Sequence, residues 1–175
     1  MIERALREPL FMRYLAGETQ LILTAEIAGV PVRCKLDSYD GHRITDLKTA
    51  QSITQTFYAA DSGERHNFVE HFDYISQAVF YTEAVRQNYG LDLPYYLAVI
   101  TKEKTDNVPH PRLAIIHIPP QKIAEQKIQV ERNLPKVWAL LQGEMEPIPC
   151  GTCEWCADNL PVDKVISLDE LLLDI

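Results

Sequence analysis

The chain has 175 residues, a formal net charge of −8 at pH 7, and 46% hydrophobic and 24% charged residues. This composition is that of a globular protein, and the length predicts a single domain over 1–175 with a cysteine-containing C-terminal segment at about 148–175. The acidic balance argues against a protein that coats nucleic acid by net charge alone. No apolar run approaches the roughly 20 residues that span a bilayer, so we expect a cytoplasmic protein without a membrane partner.

The first part of the chain predicts one helix and three strands. Apolar residues recur four positions apart at the start, which predicts a helix from Ile2 to about Ala16 that stops at Gly17. Short runs rich in β-branched residues then predict three strands, over 20–27, 30–40 and 43–49. Because tight turns join these strands, we expect an antiparallel meander.

The second part predicts a long helix, two further strands and a final helix. The helical pattern covers 66–90 and is apolar on so much of its surface that it should be largely buried. Dense apolar runs over 95–101 and 112–118 predict strands in the same sheet. A helix follows from Gln121 to about Gln142, with a kink or break at Pro135. This order predicts an α/β fold with a mixed central sheet flanked by helices.

Acidic and basic side chains converge on the second and third strands. Since side chains alternate along a strand, Asp46 and Lys48 share one side while Leu47 points into the other layer. Lys35 and Asp37 share a face of the preceding strand, and the short turn can bring Asp37 beside Asp46. Two neighbouring carboxylates favour a hard cation such as Mg²⁺ or Mn²⁺, which with a lysine suits phosphodiester hydrolysis. Taken alone, Asp-x-Lys is more typical of a surface ion pair than of an active site.

The spacing as a whole is more specific. Asp46 follows Asp37 by nine positions, and Gln77 and Tyr81 lie on the next helix. This arrangement resembles the PD-(D/E)XK nuclease superfamily, whose restriction-endonuclease-like core has the order αβββαβ. The segments RCKLD, TDLKT and QAVFY look like those of the exonuclease VIII (RecE-type) nuclease domain of phage and prophage recombination modules. The resemblance covers about residues 18 to 100.

The resemblance implies a role for each of these residues. Asp37, Asp46 and the Leu47 backbone carbonyl would bind the metal, and Lys48 would orient the attacking water. Gln77 and Tyr81 lie four apart on one helix face, from which they would contact DNA or the active-site lysine. The alternative for this pair is a buried tyrosine beside a hydrogen-bonded glutamine.

Other charged residues are candidates for the same site. Lys35 is either a phosphate contact or a solvated lysine. The family often places an acidic residue of the first helix near the metal, and Glu18 or Glu8 would take that place unless both are ordinary surface charges. Relatives also commonly carry an upstream histidine, and none precedes His42 here. Either the chain lacks a segment that the relatives have, or its site is simpler, and a site with one metal ion is then the expectation.

Three late cysteines form a second candidate centre. Cys150, Cys153 and Cys156 have the spacing C-x-x-C-x-x-C, which allows three thiolates to bind one soft ion. Cys34 is a possible fourth ligand, but its side chain lies on the strand face opposite Asp37. Some relatives hold a [4Fe-4S] cluster with one early and three late cysteines, at a wider late spacing than here. A [4Fe-4S] cluster, Zn²⁺ and unmetallated thiols all stay open.

Three classes of function follow. The resemblance to exonuclease VIII implies a metal-dependent exonuclease acting on duplex DNA ends in phage-type recombination or repair, as a homo-oligomer and with a single-strand annealing protein as partner. The second class is a structure-specific or single-strand DNA endonuclease with a cysteine-bound metal or iron–sulfur clamp. The third is a catalytically inactive DNA-binding or docking module, against which the intact set of Asp37, Asp46 and Lys48 argues.

Overall fold

The computed structural model describes residues 1–59, 63–102, 110–162 and 164–169. The backbone falls into two compact units, Met1–Trp138 and Ala139–Ile175. The helices are α1 (Ile2–Leu6), α2 (Pro9–Leu15), α3 (Phe68–His71), α4 (Tyr74–Tyr89), α5 (Pro120–Leu141) and α6 (Glu154–Asn159). The strands are β1 (Glu18–Ile27), β2 (Val30–Tyr39), β3 (Ile44–Ala50), β4 (Thr56–Ala59), β5 (Glu64–Asn67), β6 (Tyr95–Thr101) and β7 (Leu113–Ile118). Within these described ranges, no helix is both long and apolar enough to cross a membrane.

The central sheet has five strands in the order β1-β2-β3-β6-β7. Strands β1 and β2 pair antiparallel, as do β6 and β7, whereas β3 and β6 pair in parallel from Ile44 opposite Tyr95 to Ala50 opposite Thr101. Strands β2 and β3 pair only next to their turn, at Ser38 opposite Thr45 and Tyr39 opposite Ile44. Beyond these pairs the two strands diverge at Asp37 and Asp46, and we call this opening the β2–β3 fork. The predicted α/β fold with a mixed central sheet flanked by helices is confirmed.

Helices cover both faces of this sheet. Leu97 and Val99 of β6 lie in the main core with residues of α4, whereas Ala98 and Ile100 pack against Phe11 of α2. Because successive side chains of a strand point to opposite faces, α2 and α4 lie on opposite sides of β6. Burial on both faces is typical of a central strand with a parallel partner. Strand β6 is therefore buried over nearly its whole length at the centre of the sheet.

A buried acid links α4 to α5 within the first unit. Glu83 is 7% exposed, forms an ion pair with Arg86, and accepts a hydrogen bond from Lys127 Nζ of α5 at 3.0 Å. The hydrogen bond from Arg86, supported by those from Gln87 and Lys127, lowers the pKa of Glu83 to about 2. The network thus keeps this carboxylate charged and fixes α5 on α4.

Several helix boundaries differ from the prediction. The single N-terminal helix is two helices, because Pro9 has no N–H to donate and begins α2 after α1 has ended at Leu6. The helix predicted over 66–90 starts later, since residues 64–67 pair with 56–59 in a second, two-stranded sheet. Asn67 then caps α3 in a capping box with Glu70.

Two other features of the helices depart from the sequence pattern. Asp73, with a φ of 51°, separates α3 from α4 inside the predicted long helix. The break expected at Pro135 is wrong, because α5 continues from Pro120 to Leu141. Its apolar face packs through Val130, and this packing outweighs the hydrogen bond that the proline removes. The single domain over 1–175 stays a prediction, and positions 163 and 170–175 of its C-terminal segment lie outside the described residues.

Candidate active site

The two candidate metal-binding acids lie together at the β2–β3 fork. Asp37 Oδ2 accepts a hydrogen bond from the Leu47 backbone amide at 3.0 Å, and Asp37 Oδ1 accepts one from Gln20 Nε2 at 3.1 Å. Leu47 directly follows Asp46, so the first of these bonds holds the carboxylate of β2 beside the acid of β3. The opening of the fork is what makes this possible, since the Leu47 amide is free of the β2 ladder.

The turn between β2 and β3 fixes this register. Asp40 Oδ1 accepts hydrogen bonds from the backbone amides of His42 and Arg43, each at 2.9 Å. Its second oxygen lies 2.6 Å from the guanidinium of Arg43. An aspartate that bonds to amides two and three residues ahead stabilises a tight turn. The sequence of this turn therefore determines which residues of β2 and β3 lie opposite one another, and so places Asp37 next to Asp46.

A closed network joins Asp46, Lys48 and Gln77. Lys48 Nζ lies 2.6 Å from Asp46 Oδ2 and donates to Gln77 Oε1 at 2.7 Å, while Gln77 Nε2 donates to Asp46 Oδ1 at 2.9 Å. The Lys48 ammonium also lies 4.6 Å from the centre of the Tyr74 ring. An ammonium has three donors, and the two used here leave a third for a substrate or water. The network thus fixes the side chains of β3 from α4.

The electrostatics of the site are those of a crowded acid pair. Burial raises the pKa of Asp46 to about 6, the negative charge of Asp37 acts in the same direction, and Lys48 opposes both. Asp46 is only 2% exposed, and its Oδ2 has no hydrogen-bond partner among the described residues beyond the ion-pair contact with Lys48. Two carboxylates with one lysine carry one excess negative charge, which a divalent cation would neutralise.

The backbone of Leu47 adds a further oxygen. Its N–H points at Asp37, and the N–H and C=O of one strand residue point to the same side, so its carbonyl also faces the fork. Two carboxylates and a carbonyl are the oxygen donors that Mg²⁺ and Mn²⁺ prefer, so the residues present fit such an ion. The predicted packing of the Leu47 side chain is wrong: it is 44% exposed, because α2 packs on β6 and does not bury it.

The remaining candidates lie around a cleft next to this network. Tyr81 donates a hydrogen bond to the Lys35 carbonyl at 2.9 Å, and burial raises the pKa of Tyr81. The Lys35 side chain is exposed, as is that of Arg33. Both cations line a cleft of about 520 Å³ together with Gln77 and Tyr81. Gln77 therefore contacts the acidic network and the basic cleft at the same time.

The two candidate acids near the N-terminus are placed differently. Glu18 is the first residue of β1 rather than part of a helix, and it lies opposite Tyr39, two positions from Asp37. Glu8 precedes α2 and forms an ion pair with Arg4. The structure thus places Glu18 on the strand next to Asp37 and ties Glu8 to the N-terminal helices.

Gln20 is a site residue that the sequence pattern did not indicate. It lies opposite Asp37, between the pairs Thr19 with Ser38 and Leu21 with Leu36. Its φ is 58°, a left-handed conformation that costs a non-glycine residue about 1–2 kcal/mol. Backbone strain of this kind often occurs at functional sites. From this position the Gln20 amide orients the Asp37 carboxylate.

Replacing Gln20 with glycine should reduce metal binding at the site more than it changes the free energy of unfolding. Relief of the left-handed strain offsets the loss of an exposed hydrogen bond, so the free energy of unfolding should change by less than about 1 kcal/mol. Affinity for Mn²⁺ should fall about 10–100-fold, the usual loss for a partner of a metal ligand. Calorimetric titration and chemical denaturation measure the two quantities. Gln20→Asn is the matched control for the backbone, because asparagine tolerates a positive φ but is too short to keep the hydrogen bond to Asp37. Unchanged Mn²⁺ affinity in both variants would contradict the assignment of Gln20 to the site.

The late cysteines lie in the second unit. Their three Sγ atoms are within 4.8 Å of one another, and Cys150, Cys153 and Cys156 are all free thiols. The backbone amide and the hydroxyl of Thr152 lower the pKa of Cys150 to about 6. Cys34 belongs to the first unit, where it is buried and its Sγ lies 3.6 Å from the Phe80 carbonyl oxygen.

Comparisons with known proteins show the family of this chain. Residues 1–159 match the model of a family described as a PDDEXK-like domain of unknown function (DUF3799). No curated protein matches the chain. A crystal structure of a "Putative exonuclease" from Eubacterium rectale matches with a TM-score of 0.82 and 36% identity, over 99% of this chain and 64% of that one. The chain therefore spans less than two thirds of that protein, and both matches support a nuclease fold. Because the family model covers most of the chain, this protein belongs to the DUF3799 family of PDDEXK-like domains.

Proposed function

We propose that this chain is a metal-dependent deoxyribonuclease that hydrolyses phosphodiester bonds from duplex DNA ends. The observation that carries the proposal is the network of the buried Asp46 with the partly buried Lys48 and Gln77, beside the Asp37 carboxylate. A structural ion pair would not need a second acid held against it, since the two negative charges repel. Membership of a PDDEXK-like family and the similarity to a protein described as an exonuclease support the same activity.

Each residue of the site has a distinct part in this proposal. Asp37, Asp46 and the Leu47 carbonyl would hold Mg²⁺ or Mn²⁺. When bound, this ion supplies charge neutralisation at the scissile phosphate and lowers the pKa of the attacking water. Lys48 directs its remaining donor at that water or at a phosphate oxygen, where charge develops in the transition state. Gln77 keeps Lys48 and Asp46 in place.

The basic cleft is the proposed path of the DNA backbone. Arg33 and Lys35 are exposed on β2 and line it with Gln77 and Tyr81. Phosphate contacts from two such cations provide affinity without sequence preference, which suits a nuclease that digests any DNA. A local strip of this kind is compatible with the net charge of −8. Binding should therefore weaken steeply as the salt concentration rises.

The exonuclease mode rests on similarity. The segments around Asp37, Asp46 and Gln77 resemble RecE-type exonuclease VIII, and the Eubacterium rectale protein is described as an exonuclease. We therefore propose a role in resecting DNA ends for recombination or repair in the cytoplasm. A homo-oligomer and a single-strand annealing protein as partner belong to the same proposal.

The test compares DNA topologies. Linear, nicked and closed-circular duplexes of one sequence are incubated with Mg²⁺, with Mn²⁺ or with chelator, beside Asp46→Asn as the inactive variant and Lys122→Ala as a surface control. We expect the wild type to digest only the linear DNA, and only when metal is present. Asp46→Asn should digest none of the substrates, and Lys122→Ala should behave as the wild type does. If the closed circles are converted to linear DNA, the enzyme is an endonuclease and not an exonuclease. No cleavage under any condition would overturn the nuclease assignment.

A further inference from the structure

The second unit contains a thiol cluster that the proposed nuclease chemistry does not use. The Sγ atoms of Cys150 and Cys156 are 3.8 Å apart, and all three sulfurs of the cluster lie within 4.8 Å of one another. Around a single tetrahedral ion with metal–sulfur bonds of about 2.3 Å, the ligand sulfurs are about 3.8 Å apart. The three thiols are therefore already spaced for one ion.

The same distances disfavour an iron–sulfur cluster. In a [4Fe-4S] cluster each cysteine binds a different iron, so the cysteine sulfurs surround the whole cluster and lie far apart. Three sulfurs within 4.8 Å leave no space for four irons and four sulfides between them. The sulfur distances thus favour a single metal ion over an iron–sulfur cluster, a choice that the C-x-x-C-x-x-C spacing alone leaves open.

The backbone around the cluster is arranged for sulfur ligands. The Cys153 amide donates to Cys150 Sγ at 3.3 Å, and the Gly151 amide donates to Cys156 Sγ at 3.4 Å. Gly151 has a φ of 77°, which lets the loop fold back over the sulfurs. Amide donors to sulfur stabilise the thiolate charge that a metal ligand carries and orient it.

Among residues 139–162 and 164–169, which the structure describes in the second unit, none belongs to a hydrophobic core cluster. Ala139–Ile175 is below the length of about 40 residues at which a chain usually folds on a hydrophobic core of its own. The large apolar side chains among these described residues are exposed, with Ile148 at 90%, Trp155 at 61% and Val162 at 95%, whereas Cys156 is buried. Small units with little core are typically held by a metal or by disulfides, and these cysteines are unpaired.

From these observations we infer that Cys150, Cys153 and Cys156 bind one Zn²⁺ ion as a structural centre. Zn²⁺ favours tetrahedral thiolate coordination, and the fourth position falls to water or to a donor outside the cluster. The ion would displace the thiol protons and cross-link the loop to α6. The centre is separate from the carboxylate site, which favours a harder ion.

Metal content is the direct test. The protein is produced in medium containing zinc and iron, desalted, and analysed by mass spectrometry for metals and by assay for acid-labile sulfide. One zinc per chain is expected in the wild type, in Cys34→Ser and in Asp46→Asn, and none in Cys153→Ser. Cys34→Ser controls for the loss of a thiol elsewhere, and Asp46→Asn shows that the zinc is not at the carboxylates.

Two further readouts keep the inference testable if Cys153→Ser folds poorly. Replacement of zinc by Co²⁺ in the wild type should give thiolate-to-metal charge transfer and the visible bands of a tetrahedral ion. Removal of zinc with a strong chelator should increase proteolysis within 139–175 and leave 1–138 as a resistant fragment. Stoichiometric iron with sulfide, or wild-type protein without metal and with all three cluster thiols reactive, would overturn the zinc centre.

Discussion

Replacing Lys48 with methionine should lower the rate of DNA cleavage at least about 10²–10³-fold, the loss usual for one donor to a developing charge. Methionine keeps a long apolar stem against the Tyr74 ring but donates to neither Asp46 nor Gln77. Metal binding should persist, because the carboxylates remain. Initial rates on end-labelled linear duplex at saturating Mg²⁺ measure the effect, and calorimetric titration with Mn²⁺ shows whether the ion still binds.

The matched control is Lys35→Met on the neighbouring strand. Lys35 is exposed and lines the basic cleft, so its loss should raise KM, most strongly at higher salt, and leave kcat within a few fold. A Lys48→Met protein that cleaves within a few fold of the wild type would assign the chemistry to another residue. Equal loss of kcat in both variants would show that neither lysine acts specifically.

The second large effect concerns pH and stability in the absence of metal. With chelator present, the free energy of unfolding of the wild type relative to Asp46→Asn should rise as the pH falls from 7 to 5, because the titration of the Cys150 thiol is common to both proteins and cancels. The pKa of Asp46 is about 6 in the folded chain against an ordinary value of 3.8, so the folded state binds the proton more tightly. This stabilisation is complete below the ordinary value and is lost as the pH rises through 6. Its full size is about 2–3 kcal/mol.

Asp46→Asn provides the comparison, because asparagine keeps the shape and cannot ionise. The variant should lose the contribution of Asp46 to the pH dependence and cleave no DNA, and Mg²⁺ should raise the melting temperature of the wild type alone at pH 7. Glu83 does not interfere, because its pKa is lowered and its stabilising charge is lost only below its ordinary value of 4.5. Chemical denaturation at pH 5, 6 and 7 measures the slope. Parallel slopes in the two proteins would show that Asp46 titrates normally.

Local periodicity, together with the family resemblance that singled out Gln77 and Tyr81, accounts for what the sequence could predict at the site. Strand alternation places Asp46 and Lys48 on one side, and helical spacing places Gln77 and Tyr81 on one face, without knowledge of the rest of the fold. The structure joins Asp46, Lys48 and Gln77 in one network, as these local patterns allow. These contacts join β3 to α4, and the short β2–β3 turn adds Asp37 beside them.

Gln20 could not be found in this way. Its contact with Asp37 depends on the β1–β2 register and on a positive φ, and glutamine has no special preference for that conformation. Helix boundaries were a different case, because Pro9 and the Asn67 capping box are recognisable helix-start signals. At both places the predicted helix is too long, because its apolar pattern continues past these local start signals.

The β2–β3 fork provides a natural spectroscopic reporter. The amide proton of Leu47 is bonded to the Asp37 carboxylate instead of a strand partner in β2. Its NMR chemical shift and its deuterium exchange rate therefore depend on how firmly that carboxylate is held, while amides in the β3–β6 ladder report only on the sheet. One backbone proton would thus follow the assembly of the site without a substrate and without any mutation.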